Sequence, residues 1–233
     1  MEFPEKLITG YFLKRNKRFM VDLQLENGKV VTAHCPNSGS MKTCLKPHWP
    51  VRLSISNNPK RKFKYTFEMI HNGKTWIGIN TNLTNKIVQH GIINGKIPEL
   101  NGYSTLKREV RYGKNSRIDI LLEKIDKKCF VEIKSVTLVE NGNYLFPDAV
   151  TKRGQKHLLE LISMKRQGHR AIIFFLIQRN DGCIFAPATN IDPDYSKLLK
   201  KAYQEGVEIL PYQAEVTPQK IGIEKKVEIT LQP

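Results

Sequence analysis

The sequence predicts a two-domain protein of the α+β or α/β class, in which a small N-terminal β-barrel precedes a mixed α/β domain. Short segments with strand periodicity and Asn-Gly turns fill the first part of the chain. A hairpin that carries carboxylates lies near the middle of the chain, and helices alternate with apolar strands after it. A length of 233 residues suits two small domains. We place them at residues 1–81 and 82–233.

The N-terminal part reads as a series of short strands joined by tight turns. Asn27-Gly28 and Asn72-Gly73 are typical of two-residue hairpin turns. This pattern favours a small barrel or sandwich, and we choose an OB-like barrel, an architecture that often binds nucleic acid. The predicted strands cover residues 9–14, 18–25, 29–35, 51–56, 64–71 and 74–79.

The second domain is predicted to contain helices and strands in alternation. A helix over 81–91 leads into it, and Pro147 and Asp148 suit the N-terminal end of a long helix that reaches Arg166. The almost wholly apolar segment 171–178 suits the centre of a sheet that is covered on both faces. The remaining predicted elements are strands at 106–112, 183–186 and 207–210 and a helix at 195–205.

The hairpin from residue 117 to 138 carries the chemistry of the predicted site. Strand alternation places Asp119, Glu132 and Lys134 on one face, with cross-strand neighbours about 5 Å apart. Two carboxylates that close repel each other unless a cation lies between them. Oxygen ligands suit Mg²⁺ or Mn²⁺, and Lys134 would lie beside that metal. The apolar residues Ile118, Ile120, Val131 and Ile133 are predicted to pack on the opposite face.

Two neighbouring segments offer further candidates for the site. Glu109 is a third candidate metal ligand, or equally an exposed strand residue paired with Arg108 or Arg111. Arg153 and Gln155, early in the long helix, could orient a phosphate, although a polar outer helix face explains them as well.

The net charge of +16 predicts attraction to polyanions, most simply nucleic acid. Charge alone does not exclude anionic membranes or acidic proteins. Aromatic residues are interleaved with the cations of the barrel, and we expect most of these rings to fill its core. The candidate DNA-binding cations are Lys14, Arg15, Lys17, Arg18, Lys60, Arg61, Lys62 and Lys64 in the barrel, and Arg117 and Arg153 in the second domain.

The segment His34-Cys35-Pro36-Asn37-Ser38-Gly39-Ser40-Met41 is a predicted loop. Its small side chains and free amides could cradle an anion, with Asn37, Ser38 and Ser40 as contacts. The same composition also fits a purely structural turn. A third reading makes this loop a site for a carbohydrate or another effector.

The remaining sequence features concern the cellular location of the protein and its oligomeric state. No apolar run is long enough to span a membrane, and the first residues lack the apolar core of a signal peptide. The four cysteines are scattered, which favours reduced thiols in a cytoplasm. The oligomeric state is open, and a homodimer is one option.

The sequence resembles two groupings of known proteins. The spacing of Asp119 and Glu132-Ile133-Lys134 is similar to the motif of PD-(D/E)XK nucleases. Nearly the whole chain resembles the sugar fermentation stimulation protein A (SfsA) family. The blocks that carry this resemblance are His34–Met41, Tyr65-Thr66-Phe67-Glu68, Gly78-Ile79-Asn80-Thr81, Ser116-Arg117-Ile118-Asp119, residues 131–138, Phe146-Pro147-Asp148-Ala149-Val150-Thr151, Arg153-Gly154 and Lys156-His157-Leu158.

The resemblance implies an OB-like domain, a PD-(D/E)XK-like domain, DNA binding with little sequence preference and a regulatory link to sugar utilisation. Our first hypothesis is a DNA-binding protein with a metal-dependent nuclease-like site. Asp119 and Glu132 would hold the metal, Lys134 would position the attacking water, and Gln155 or Arg153 would orient a phosphate. The alternative is a non-catalytic DNA-binding regulator that keeps the nuclease fold as a scaffold.

Overall fold

The N-terminal domain is a closed five-stranded barrel, as predicted. The computed structural model describes residues 1–113 and 116–231. Antiparallel pairs join neighbouring strands, and a parallel pairing of β3 with β5 closes the barrel. The strands are β1 (Ile8–Asn16), β2 (Met20–Leu25), β3 (Val30–His34), β4 (Pro50–Ile55) and β5 (Tyr65–His71), and β6 (Trp76–Gly78) pairs with β5.

Two of the four aromatic rings that are interleaved with the barrel cations, Phe12 and Tyr65, belong to the barrel core. Phe12 is buried and stacks on Phe67, and Tyr65 packs against the same core. Phe63 lies outside that core, and Phe19 is 53% exposed. Phe19 lies with Lys17 and Arg18 in the turn before β2. The strand predicted from Arg18 therefore begins two residues later, at Met20. Lys17 adopts a φ of 51°, which breaks the strand there.

The second domain is built on a six-stranded sheet in the order β15-β14-β12-β9-β8-β7. β12 is parallel to both neighbours and almost wholly buried, which confirms the predicted central strand. The α1 helix packs on one face of this sheet, and α2 and α3 cover the other. The sheet contains β7 (Thr105–Tyr112), β8 (Ser116–Lys124), β9 (Lys127–Val136), β12 (Arg170–Ile177), β14 (Glu208–Val216) and β15 (Ile221–Lys226). The helices are α1 (Thr84–Ile93), α2 (Lys152–Arg166) and α3 (Pro193–Gln204).

A second, smaller sheet lies beside the first and is formed in part by the C-terminal segment that sequence patterns left unassigned. Its order is β10-β11-β13-β16. The strands are β10 (Leu138–Glu140), β11 (Asn143–Phe146), β13 (Ile184–Pro187) and β16 (Glu228–Ile229). The same C-terminal segment also supplies β15, an edge strand antiparallel to β14.

The predicted start of the long helix was wrong. The α2 helix begins at Lys152, and Thr151 caps it by accepting a hydrogen bond from the Gly154 amide. Pro147 and Asp148 precede the helix in an irregular segment. The Asp148 carboxylate accepts a hydrogen bond from the Met41 amide at 3.3 Å, so this segment contacts the barrel instead of extending the helix.

A buried arginine links the two domains. The Arg179 side chain is 3% exposed and donates to the Thr137 carbonyl at 2.7 Å and to the Thr43 hydroxyl at 3.2 Å. Its other nitrogens form two bonds to Asp181, which also accepts a bond from Asn72 of the barrel. This network holds the barrel against the carboxyl end of β9.

Candidate functional site

The hairpin of β8 and β9 opens where its carboxylates lie. The strands pair from Lys124 and Lys127 to Ile120 and Val131, which places the turn at residues 125–126. The backbone pairing of β8 with β9 ends at Ile120 and Val131. The next amide of β9 that faces β8, that of Ile133, instead donates a hydrogen bond to Asp119 Oδ2 at 2.7 Å. One acid of the motif is therefore held by the backbone of the strand that carries the other.

The predicted faces of the hairpin are correct except at Ile118. Ile120, Val131 and Ile133 pack together in the core below α1, as expected. Ile118 instead joins the core below α2 and α3. At the same point Glu109, which faces Asp119 across β7 and β8, has a φ of 53°, and this pair drops out of the ladder.

Glu132 is the centre of the site and is 2% exposed. Its Oε1 accepts a hydrogen bond from Lys134 Nζ at 2.7 Å and contacts Nδ1 of His157, which projects from α2. Burial opposes ionisation, but the hydrogen bond with His157 and the charge of Lys134 outweigh it and lower the Glu132 pKa. The other oxygen, Oε2, is buried and has no hydrogen-bond partner among the residues that the structure describes.

Asp119 is partly buried and remains difficult to ionise. Burial, followed by repulsion from Glu132, raises its pKa to about 6, although hydrogen bonds with the Ile133 amide and with Asn85 act in the opposite direction. Asn85 Nδ2 lies 2.8 Å from Asp119 Oδ1 and 3.4 Å from Glu109 Oε1. Asn85 thus links Asp119 to Glu109, and of the three acids only Glu132 has a cationic hydrogen-bond donor among the residues that the structure describes.

The side chains present fit a divalent cation by chemistry. Within residues 1–113 and 116–231, no three Asp, Glu, His or Cys side chains are already arranged as a metal-binding group. Carboxylate oxygens are nevertheless the donors that Mg²⁺ and Mn²⁺ prefer. Glu132 Oε2 is buried with no hydrogen-bond partner among the described residues, and repulsion from Glu132 adds to burial in raising the Asp119 pKa, so a cation between the two carboxylates would stabilise both.

Gln155 is not brought to the carboxylates. Its amide donates to Asp192 at 2.9 Å and so ties α2 to the N-terminus of α3. Arg153 is exposed, and its Nε lies 3.4 Å from Nε2 of His157. It therefore contacts the ring nitrogen of His157 that does not contact Glu132.

Sequence reasoning missed His157, Asn85 and Glu160. His157 stands one helical turn after Arg153, a spacing that could have pointed to it. Glu160 is 9% exposed, and its Oε1 lies 3.7 Å from the Lys156 ammonium one helical turn before it. With Glu132 and Asp119 it adds to the effect of burial in raising the pKa of Tyr112.

The predicted DNA-binding cations have two different placements. Arg15 is a structural residue, because its guanidinium donates to the carbonyls of Asn37, Arg18 and Gly39 at 2.7–2.8 Å. Arg61 donates to Thr66 at 3.0 Å, although it too is exposed. The other candidates keep exposed side chains, and among them Lys14 lies 3.8 Å from Asp22 and Lys62 stacks over Phe63. These exposed cations are Lys14, Lys17, Arg18, Lys60, Lys62, Lys64, Arg117 and Arg153.

The 37–41 loop already has partners for two of its amides. The Gly39 amide donates to the Asn37 side chain at 2.8 Å, and the Met41 amide donates to Asp148. A carboxylate of the second domain therefore lies where the sequence suggested an external anion. Asn37, Ser38 and Gly39 line a cleft of about 280 Å³ between the domains, together with Ser135 and the segment before α2, while Ser40 lies outside it with its hydroxyl buried.

Comparison with known proteins gives the family. The family model described as the SfsA N-terminal OB domain matches residues 13–79, and the one described as the sugar fermentation stimulation protein RE domain matches residues 82–220. The chain belongs to the sugar fermentation stimulation protein family. A homolog from Geotalea uraniireducens (strain Rf4) is 53% identical over 99% of this chain and 100% of its own length. A second homolog, from Geobacter sulfurreducens, is 52% identical over 98% of each chain.

A solved structure of the SfsA family has the same fold. SfsA of Pyrococcus furiosus, described as a complex with Ca²⁺, superposes with a TM-score of 0.89 at 30% identity. The match covers 99% of this chain and 98% of that one, so both SfsA domains and their arrangement are shared. In the described part of this chain, no helix is long and apolar enough to cross a membrane.

Proposed function

We propose that this protein binds DNA with low sequence specificity and carries a divalent-cation-dependent phosphodiester-cleaving site at Asp119, Glu132 and Lys134. The observation that carries the proposal is the convergence of these three side chains at the opening of the β8–β9 hairpin. The net charge of +16 and the exposed cations on both domains supply the attraction to DNA. A cytoplasmic location and a role in the regulation of sugar utilisation complete the proposal.

Each residue has a separate part in the proposed reaction. Asp119 and Glu132 would hold the cation, which supplies Lewis-acid stabilisation of charge on the phosphate. Glu109 is a third candidate ligand, since Asn85 already bridges it to Asp119. Lys134, released from Glu132 Oε1, would orient the attacking water or a phosphate oxygen. His157 positions the Glu132 carboxylate, and Arg153 or Arg117 would contact the neighbouring phosphates. The Ca²⁺ described for the Pyrococcus furiosus relative supports the choice of a hard cation.

Incubation of supercoiled and linear DNA with the purified chain in Mg²⁺ or Mn²⁺ tests the proposal. We expect cleavage that EDTA abolishes and that Glu132→Gln reduces by about 10²-fold or more. The exposed acid Asp126 provides a matched control, because Asp126→Asn removes the same charge outside the site. Absence of cleavage by the native chain, or equal cleavage by Glu132→Gln, would reject a catalytic role.

A second candidate function is a DNA-binding regulator without catalysis, and one observation favours it. Lys134 and His157 already contact the same oxygen of Glu132, so this carboxylate is partly neutralised by the protein itself. In this case the nuclease fold would serve as a basic scaffold. Removal of the Asp119 carboxylate separates the two candidates. Under both, DNA affinity should be equal or higher, because a negative charge is removed. Only a catalytic site would also lose DNA cleavage.

Both candidates require salt-sensitive DNA binding. Contacts with phosphates release counterions, so affinity should fall steeply between about 50 and 200 mM salt. Fluorescence anisotropy with oligonucleotides of unrelated sequence measures the slope and the sequence preference together. Affinity that is insensitive to salt, or confined to one sequence, would contradict this part of the proposal.

A further inference from the structure

Asn85 occupies an unusual place between two carboxylates. It lies in the first turn of α1, and its Nδ2 donates to Asp119 Oδ1 at 2.8 Å and approaches Glu109 Oε1 at 3.4 Å. A carboxamide nitrogen carries two hydrogens, so one group can serve both oxygens. The neutral NH₂ group of Asn85 thus stands where positive charge would be most stabilised by the two acids.

The surrounding charges are distributed unevenly. Lys134 and His157 both contact Glu132, and within the described residues no cationic side chain donates a hydrogen bond to Asp119. The left-handed backbone of Glu109 interrupts the β7–β8 ladder opposite Asp119 and brings a second carboxylate to the same amide. A cation attracted to Asp119 and Glu109 would compete with the Asn85 NH₂ group for the same oxygens.

A carboxamide can resolve this competition without leaving its place. Rotation by about 180° about the last side-chain bond exchanges its nitrogen for its oxygen, and a carboxamide oxygen is a ligand of hard divalent cations. We propose that Asn85 is a two-state residue of the cation site, in which its NH₂ group cross-links Asp119 and Glu109 without cation and its Oδ1 faces the cation when one is bound. This inference rests on the proposed cation site, and it adds a residue from α1 to a set that β7, β8 and β9 otherwise supply.

The simpler explanation is that Asn85 only fastens α1 to β8. Both explanations predict that loss of Asn85 lowers the stability of the cation-free protein. They differ in the effect of a carboxylate at this position, because only a residue that faces the cation gains a ligand from it. Binding of Mn²⁺ by the full native chain and by Asn85→Asp, measured by calorimetry without DNA, therefore separates them.

Three variants make the measurement decisive. Asn85→Asp keeps the shape and adds a charged ligand, and we expect Mn²⁺ to bind roughly tenfold more tightly. Asn85→Leu removes both donor and acceptor, and we expect affinity to fall roughly tenfold. Asn82→Asp adds the same charge at an exposed position three residues earlier, and it should change affinity less than about twofold.

A second readout follows the carboxamide itself. The side-chain NH₂ signal of Asn85 in a ¹⁵N correlation spectrum, assigned by its loss in Asn85→Leu, should move when diamagnetic Mg²⁺ is added to the native chain. Unchanged Mn²⁺ affinity in both Asn85 variants, or an NH₂ signal that stays in place while Mg²⁺ binds, would overturn the two-state role and leave the proposed cation site intact. Failure of the native chain to bind either cation would overturn both. Cation binding without DNA cleavage would overturn only catalysis.

Discussion

Ionised Asp119 should destabilise the cation-free protein, and its replacement by Asn should reveal the size of this effect. The Asp119 pKa rises from 3.8 to about 6 on folding. At about 1.4 kcal/mol per pKa unit, this rise corresponds to about 3 kcal/mol. The folded state holds the proton more tightly than the unfolded state, so stability falls as the pH rises from about 4 through 6, and the loss is complete above that range.

Asp119→Asn removes this penalty but weakens one hydrogen bond. The Asn carboxamide has a single acceptor oxygen, whereas the carboxylate accepts from both the Ile133 amide and Asn85. Loss of one bond costs about 1 kcal/mol. We therefore expect a net gain of about 1–2 kcal/mol at pH 8, and at pH 4.5 a change of about 1 kcal/mol or less in the destabilising direction.

Urea unfolding in EDTA at the two pH values measures both changes. A gain of this size at pH 8 should also raise Tm by about 2–6 °C. The control is Asp126→Asn, which removes an exposed carboxylate in the hairpin turn and should have the same small effect at both pH values. An equal effect of Asp119→Asn at pH 8 and pH 4.5 would refute the assignment of the penalty to ionised Asp119.

Three further predictions concern the rest of the chain. Arg179→Met should lower the free energy of unfolding in urea by about 3 kcal/mol or more, because it leaves the Asp181 carboxylate without its cationic partner and removes the hydrogen bonds to the Thr137 carbonyl and to Thr43 of the barrel. Arg15→Gln should lower Tm, since it loses three carbonyl contacts, whereas Lys17→Gln should weaken DNA binding by anisotropy with Tm unchanged. A thiol reagent should modify one cysteine, Cys183, rapidly in the native protein and all four after unfolding, because the other three are buried.

Local patterns were enough to predict the fold class. Strand alternation and the two Asn-Gly turns indicated the barrel, and the apolar run at 171–178 indicated a central strand covered on both faces. Such features depend on neighbours in the chain, and the physics of turns and burial acts on them locally. The start of α2 was misplaced because Asp148, a plausible helix-start residue in isolation, is held by the Met41 amide of the other domain.

The sequence by itself determined which three residues form the motif, since Asp119, Glu132 and Lys134 lie on one hairpin whose turn sets their register. Only the tertiary structure decided what surrounds them. His157 comes from α2 and Asn85 from α1, and the same packing turned Gln155 away to Asp192. Their contacts join residues more than twenty positions apart, so no local period encodes them. The pKa of a buried carboxylate depends on such distant neighbours and on the depth of burial, which appear only when the chain has folded.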